Sequence, residues 1–208
     1  LNKINYLSDT NIFIKLYHAY NDSTILCELY VRKFSTLGFV EPVHHEIMRT
    51  PSSKNSKKLS LKVLYKRLDN EYEIIFIDEL EAIVKQSYIN EMRNFGYTDY
   101  KGCKNSIKDI GEKGTLLISH LLDIPIIHSD DYHFVDFVEM NRDRFPDVEL
   151  FTLNSILEVL VPEHKERISI NKNIEINSKR FNVSIEQERA ERNMQKRLEK
   201  LYKKFNKH

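Results

Sequence analysis

Glycine, proline and cysteine are all scarce in this chain of 208 residues, which has five, five and two of them. Each shortage excludes something. Cys27 and Cys103 cannot build a disulfide framework, and they lack the spacing of a zinc ribbon. Two reduced thiols point to a cytoplasmic protein. No apolar run approaches the ~18 residues of a membrane span, and residues 1–9 carry no signal-peptide pattern, so neither membrane insertion nor export is expected. No glycine follows Gly114 and no proline follows Pro162, which predicts long helix in the last part of the chain.

An excess of charge of one sign is also missing: 32 lysines and arginines stand against 31 aspartates and glutamates. That balance, taken alone, argues against a polyanionic partner. The charges are segregated, however. From Arg49 to Leu68 the chain carries Arg49, Lys54, Lys57, Lys58, Lys62, Lys66 and Arg67 and no acid. From Lys179 to the end, ten basic residues oppose four acidic ones, a net +6, which leaves −5 for everything before. Such runs are commonly solvated helix faces, but they also suit a phosphate backbone.

Up to Pro162, short apolar runs alternate with amphipathic stretches. Residues 4–7, 73–77, 124–128 and 148–152 read as strands, rich in β-branched and aromatic side chains, with a further extended piece at 38–43. Residues 12–20, 24–34, 59–68, 80–95 and 111–122 have apolar side chains at three- and four-residue spacing and read as helices. This alternation predicts an α/β fold with a largely parallel sheet covered on both faces. After Pro162 the character changes. Ile168, Ile170, Ile174 and Ile176 suggest a short extended segment, followed from Ser178 by a helix with Met194, Leu198, Leu201 and Phe205 in one apolar stripe. Two units follow: a domain over residues 1–162 and a basic, mainly helical extension over 163–208. The stripe is expected to dock on the body; its other use is a partner helix or a homodimer.

Ligands of parallel α/β sheets gather beyond the carboxyl ends of the strands. The first strand runs into Asp9-Thr10-Asn11, and residues 124–128 run into Ser129-Asp130-Asp131. Glu112 opens a helix with Asp109 just before it, and Glu46 follows the extended piece at 38–43. Singly, each acid has an ordinary use as a helix cap or a dipole partner. Gathered in one pocket they repel one another and call for a cation. Hard oxygen donors without a matching His/Cys set favour Mg²⁺ or Mn²⁺, ions that commonly serve phosphodiester hydrolysis.

The ordered set Leu7-Ser8-Asp9-Thr10-Asn11, Glu46, Gly111-Glu112 and Ile126-Ile127-His128-Ser129-Asp130-Asp131 resembles the PIN-domain ribonucleases over residues 1–162. The resemblance implies a three-layer α/β/α domain and a metal-dependent endoribonuclease, with RNA as substrate and, in the toxin-type branch, an antitoxin protein as partner. It implies that Asp9, Glu46, Glu112 and Asp130 hold one or two Mg²⁺ or Mn²⁺ ions. Asp131 is the alternate to Asp130, and Asp109 shares the role of Glu112. Asn11 supports the site and Ser129 orients a carboxylate or phosphate. Arg49, Lys54, Lys57 and Lys58 are the expected phosphate contacts. Two other readings compete: a non-catalytic RNA-binding module, and another Mg²⁺-dependent phosphohydrolase. Elsewhere, His44 and His45 read as a surface pair and His120 and His128 as core histidines. The basic neighbours of Cys103 are expected to lower its pKa.

Overall fold

The computed structural model describes residues 4–51, 58–104 and 108–205. The chain begins with β1 (Tyr6–Ser8), α1 (Thr10–His18), α2 (Ile25–Lys33), β2 (Leu37–Val40), α3 (Glu41–Arg49), α4 (Leu61–Arg67) and β3 (Glu73–Ile75). A 3₁₀ turn (Ile77–Glu79) leads to α5 (Ala82–Asn94), α6 (Ile110–Leu121), β4 (Ile126–His128), α7 (Tyr132–Met140), β5 (Glu149–Phe151), α8 (Leu153–Leu160) and α9 (His164–Phe205). The fold is α/β. Its five strands are all parallel, in the order β3-β2-β1-β4-β5.

The pleat sends alternate side chains to opposite faces of the sheet. Leu37, Phe39 and Ile74 enter one apolar cluster with α1, α2, α4 and α8, while Leu7, Val40, Ile75 and Ile127 enter a second with α5, α6 and α7. Helices therefore cover both faces, which is why the strands read as continuous apolar runs. The strand order reverses between β1 and β4, so the crevice beyond their carboxyl ends is the topological switch point. The ladder continues one step past each strand there: Asp9 N–H donates to the His128 carbonyl (2.9 Å) and Ser129 N–H to that of Phe151 (3.0 Å).

The tail departs from the expected pattern. No extended segment precedes Ser178; α9 is one helix from His164 onward. Ile170, Ile174 and Ile185 lie on one helical face and are buried, the first two within the same cluster as α1 and α8. Asn177 Nδ2 donates to the His18 carbonyl (2.8 Å), and the rings of Phe181 and His18 lie 5.0 Å apart. Ile168 and Ile176, both close to half exposed, fall on the other side of the helix from that seam, so the alternation in sequence is not one of strand faces. Further along, Met194 and Leu198 are more than half exposed, so the apolar stripe does not dock on the body at those positions. Ile174→Ala is expected to cost about 2–4 kcal/mol in urea unfolding, because it opens a cavity at the α1–α9 seam. Met194→Ala should change stability by less than about 0.5 kcal/mol.

Candidate functional site

Asp9 ends β1 and caps α1: Oδ1 accepts the Thr10 N–H (2.6 Å), and Oδ2 accepts the Ser129 hydroxyl (3.3 Å) from the end of β4. The residue is buried, at 2% exposure. From α3, Glu46 Oε2 accepts the Thr10 hydroxyl (2.5 Å). Gly111, in the first turn of α6, is the place where α3 comes close. A Cβ there would stand 2.8 Å from Glu46 Oε2 and 3.3 Å from Val43 Cγ2, so the missing side chain is what admits Glu46. Glu112 follows it on α6, half-buried.

The electrostatics mark these groups as a cluster. Burial first, then the carboxylates of Glu46 and Asp131, push Asp9 up to about 7, against the lowering effect of Thr10 N–H and Ser129. Burial, then Asp9, Asp109, Asp131 and Glu46, push Glu112 up to about 8. Two lysines lie nearby, of which Lys113 feels the charges of Glu112 and Asp109. Lys15 is paired with Asp130 (2.7 Å), and Lys113 lies over the ring of Phe137.

Three expected residues occupy other roles. Asp130, the first choice for the fourth acid, is turned away: one oxygen meets Lys15 and the other accepts the N–H of Leu153 at the start of α8 (3.3 Å). Of the adjacent pair, Asp131 is the one whose charge acts on Asp9 and Glu112. Asp131 Oδ1 caps α7 through the N–H groups of His133 and Phe134 (2.8 and 3.1 Å). Lys58 donates to the carbonyls of Tyr17 (2.5 Å) and Tyr20 (2.7 Å) and lies over the Tyr17 ring, so it holds the carboxyl end of α1 instead of facing the acids. Arg49 donates to the Lys104 carbonyl (3.0 Å). Lys54 and Lys57 lie outside the described residues. Asn11 Oδ1, on α1, accepts the Asp130 N–H (3.2 Å), which ties the loop after β4 to α1. Asp109 is exposed, has a left-handed backbone (φ 61°) and sits just before α6, its charge acting on Glu112.

The histidines and Cys103 also sort differently. His128 is in the core, where Nδ1 meets the Tyr30 hydroxyl (2.7 Å), whereas His120 is exposed against the edge of Phe145. Cys103 is not activated. Burial, Asp99 and Glu41 raise its pKa and outweigh Lys101 and Arg49. Sequence spacing gave no sign that Cys103 meets His45, 58 residues away (3.6 Å). Glu41 joins them. Among the described residues, Glu41, His45 and Cys103 are the one trio of acidic, His or Cys donors whose ligating atoms all lie within 4.8 Å of one another.

The acidic cluster fits a hard divalent cation by donor chemistry and by the mutual repulsion of its carboxylates. Mg²⁺ commonly binds through one or two carboxylates and keeps several waters, so it does not need three converging protein oxygens. No model of a known family, curated protein or solved structure matches the chain. No described helix is long and apolar enough to cross a membrane.

Proposed function

We propose that the chain is a divalent-cation-dependent endoribonuclease of the PIN type, with its site at Asp9, Glu46, Glu112 and Asp131. One observation carries the reading. Beyond the switch point of a parallel sheet, acids that follow β1 and β4 and stand on α3 and α6 act on one another's charge, and burial with that repulsion pushes Asp9 up to about 7 and Glu112 up to about 8. Mg²⁺ or Mn²⁺ bound by them would supply Lewis-acid stabilisation of the charge that develops on a phosphodiester. The chain's own groups set the stage for it. Thr10 orients Glu46 and Ser129 orients Asp9, so two of the acids are fixed before substrate arrives. Glu112, near 8, is the group best matched to exchange a proton close to neutral pH. Exposed Lys179, Arg180, Arg189, Arg192, Lys196 and Arg197 on α9 offer phosphate contacts that carry no base preference.

The test is cleavage of structured and unstructured RNA by the purified chain with Mg²⁺, with Mn²⁺ and with EDTA. Cleavage that EDTA stops is expected. Asp131→Asn should lower the rate about tenfold to a hundredfold, and Asp130→Asn much less. If no RNA is cut under any of these conditions, the nuclease reading fails and a non-catalytic RNA-binding module takes its place. Equal effects of the two substitutions would return Asp130 to the site.

A further inference from the structure

We propose that Glu41, His45 and Cys103 form a second cation site, selective for a thiophilic divalent ion of the Zn²⁺ class, on a different face of α3 from Glu46. Nothing in this inference depends on the nuclease reading, because none of the three residues belongs to the acidic cluster.

The donors are brought together by separate local causes. Glu41 and His45 are four residues apart on α3, so their side chains overlie one another on the same face. Glu41 is buried and fixed: Oε2 accepts the N–H of Ile77 (2.9 Å), which leaves Oε1 turned toward His45 Nε2 at 3.6 Å. Cys103 comes from the loop between α5 and α6, which is pinned on both sides of the thiol. Before it, the Tyr88 hydroxyl donates to the Tyr100 carbonyl (3.0 Å). After it, Lys104 N–H donates to Asp99 Oδ2 (2.5 Å) and Arg49 to the Lys104 carbonyl. Gly102 has a left-handed backbone (φ 67°), and a Cβ on it would lie 3.2 Å from Pro42, so this turn lays the loop directly on the first turn of α3. The result places Cys103 Sγ 3.6 Å from the same His45 nitrogen.

Two of the three spacings match those around a tetrahedral ion, and all three ligating atoms lie within 4.8 Å of one another. With Zn–N, Zn–O and Zn–S bonds of roughly 2.0–2.3 Å, donors at the corners of a tetrahedron stand about 3.3–3.7 Å apart. Both distances from His45 Nε2, to Glu41 Oε1 and to Cys103 Sγ, are 3.6 Å. For the nitrogen–oxygen pair that is too long for a hydrogen bond. One thiolate, one imidazole and one carboxylate make the mixed set that favours zinc over the hard cations suited to the acidic cluster, and three protein ligands leave a fourth position for water. On binding, the Cys103 thiol loses its proton to solvent, and its sulfur replaces a water on the ion. Glu41 keeps its second oxygen on the Ile77 N–H, the type of outer contact that fixes a ligating carboxylate. Occupancy would staple the loop that leads into α6 to the helix that carries Glu46.

Metal-stripped full-length chain reports on the site through its thiols. Cys27 is buried and Cys103 exposed, so a disulfide reagent should modify Cys103 alone in the folded protein. One equivalent of Zn²⁺ should slow that reaction about tenfold or more, EDTA should restore it, and Mg²⁺ should leave it unchanged. Co²⁺ in place of Zn²⁺ should give intense tetrahedral visible bands with a thiolate charge-transfer band. Cys103→Ser should lose the charge-transfer band and His45→Gln the whole tetrahedral signature, while Glu112→Gln retains both. Failure of Zn²⁺ to protect the thiol overturns the proposal. So does an unchanged cobalt spectrum in His45→Gln, or loss of the spectrum in Glu112→Gln, which would assign the ion to the acidic cluster.

Discussion

At about pH 8 without divalent cations, Asp9→Asn is expected to be more stable than the wild-type chain by on the order of 4 kcal/mol, with the gap closing as the pH falls to about 4. The folded chain holds the Asp9 proton up to about 7, against 3.8 for an ordinary aspartate. Between those values the folded state binds more protons than the unfolded one, so stability present at low pH is lost as the pH rises through about 7. Glu112, held near 8, adds to the loss in the same direction. Asparagine removes the charge and keeps the contacts: its oxygen accepts the Thr10 N–H, and its amide donates to Ser129. Urea unfolding at several pH values measures the difference, and parallel curves for the two proteins would refute the buried charge as its cause. The nuclease reading adds a second arm. Mn²⁺ should raise the wild-type midpoint at pH 8 and scarcely move that of Asp9→Asn, which should also cut RNA about a hundredfold more slowly or worse. The same substitution would then stabilise the fold and disable the site, as expected where function holds like charges together out of water.

What the sequence makes legible follows the range of the interaction. The five strands were readable in outline because a sheet covered on both faces demands apolar runs, as at Ile74–Ile75 and Ile126–Ile127. The piece expected at 38–43 is strand only over Leu37–Val40, because Pro42 lies in the first turn of α3, where its missing N–H costs nothing. Asp9 was readable because a strand end followed by a helix cap is a local pattern. The partners of Asp130 were not, since Lys15 and Leu153 lie 115 and 23 residues from it in sequence. Lys58 read as a phosphate contact within a basic run, and only the fold brings it to the carbonyls of Tyr17 and Tyr20 at the carboxyl end of α1. In the tail, isoleucines two and four residues apart fit both a strand and a helix. The contact of Ile170 and Ile174 with the core shared by α1 and α8 decides for the helix. The trio of Glu41, His45 and Cys103 shows the same limit, since a helical i, i+4 pair is visible in sequence and a ligand 58 residues away is not.

Below about pH 6 a different pair of groups governs stability, and His128→Phe combined with Tyr30→Phe is expected to resist acid better than the wild-type chain. His128 is fully buried among Tyr6, Tyr30, Phe34 and Phe151, and burial lowers its pKa from 6.5 to about 3. Its Nδ1 is satisfied by Tyr30, while Nε2 has no partner among the described residues, so a second proton has no acceptor to meet. The unfolded chain takes up that proton first. Stability present above about 6.5 is therefore lost as the pH falls toward 3, by on the order of 3 kcal/mol at pH 4. Replacing both partners by apolar rings of similar shape removes the titrating group without stranding the tyrosine hydroxyl. Any overpacking by the larger ring lowers stability equally at pH 7 and pH 4, so the difference between the two pH values is the quantity to measure, by urea unfolding at each. The wild-type chain should lose more between them than the double variant, and equal losses would show that His128 does not titrate in this range. The variant should still lose part of its stability, because His18, lowered to about 4 by burial and by Lys58, remains. His18 sits against Phe181 and gives its carbonyl to Asn177, so part of the residual acid sensitivity should come from the seam between α1 and α9, with a further part from His44, whose pKa burial also lowers. Adding Ile174→Ala to the double variant weakens that same seam, and should bring unfolding to a higher pH without restoring the steep loss that His128 caused.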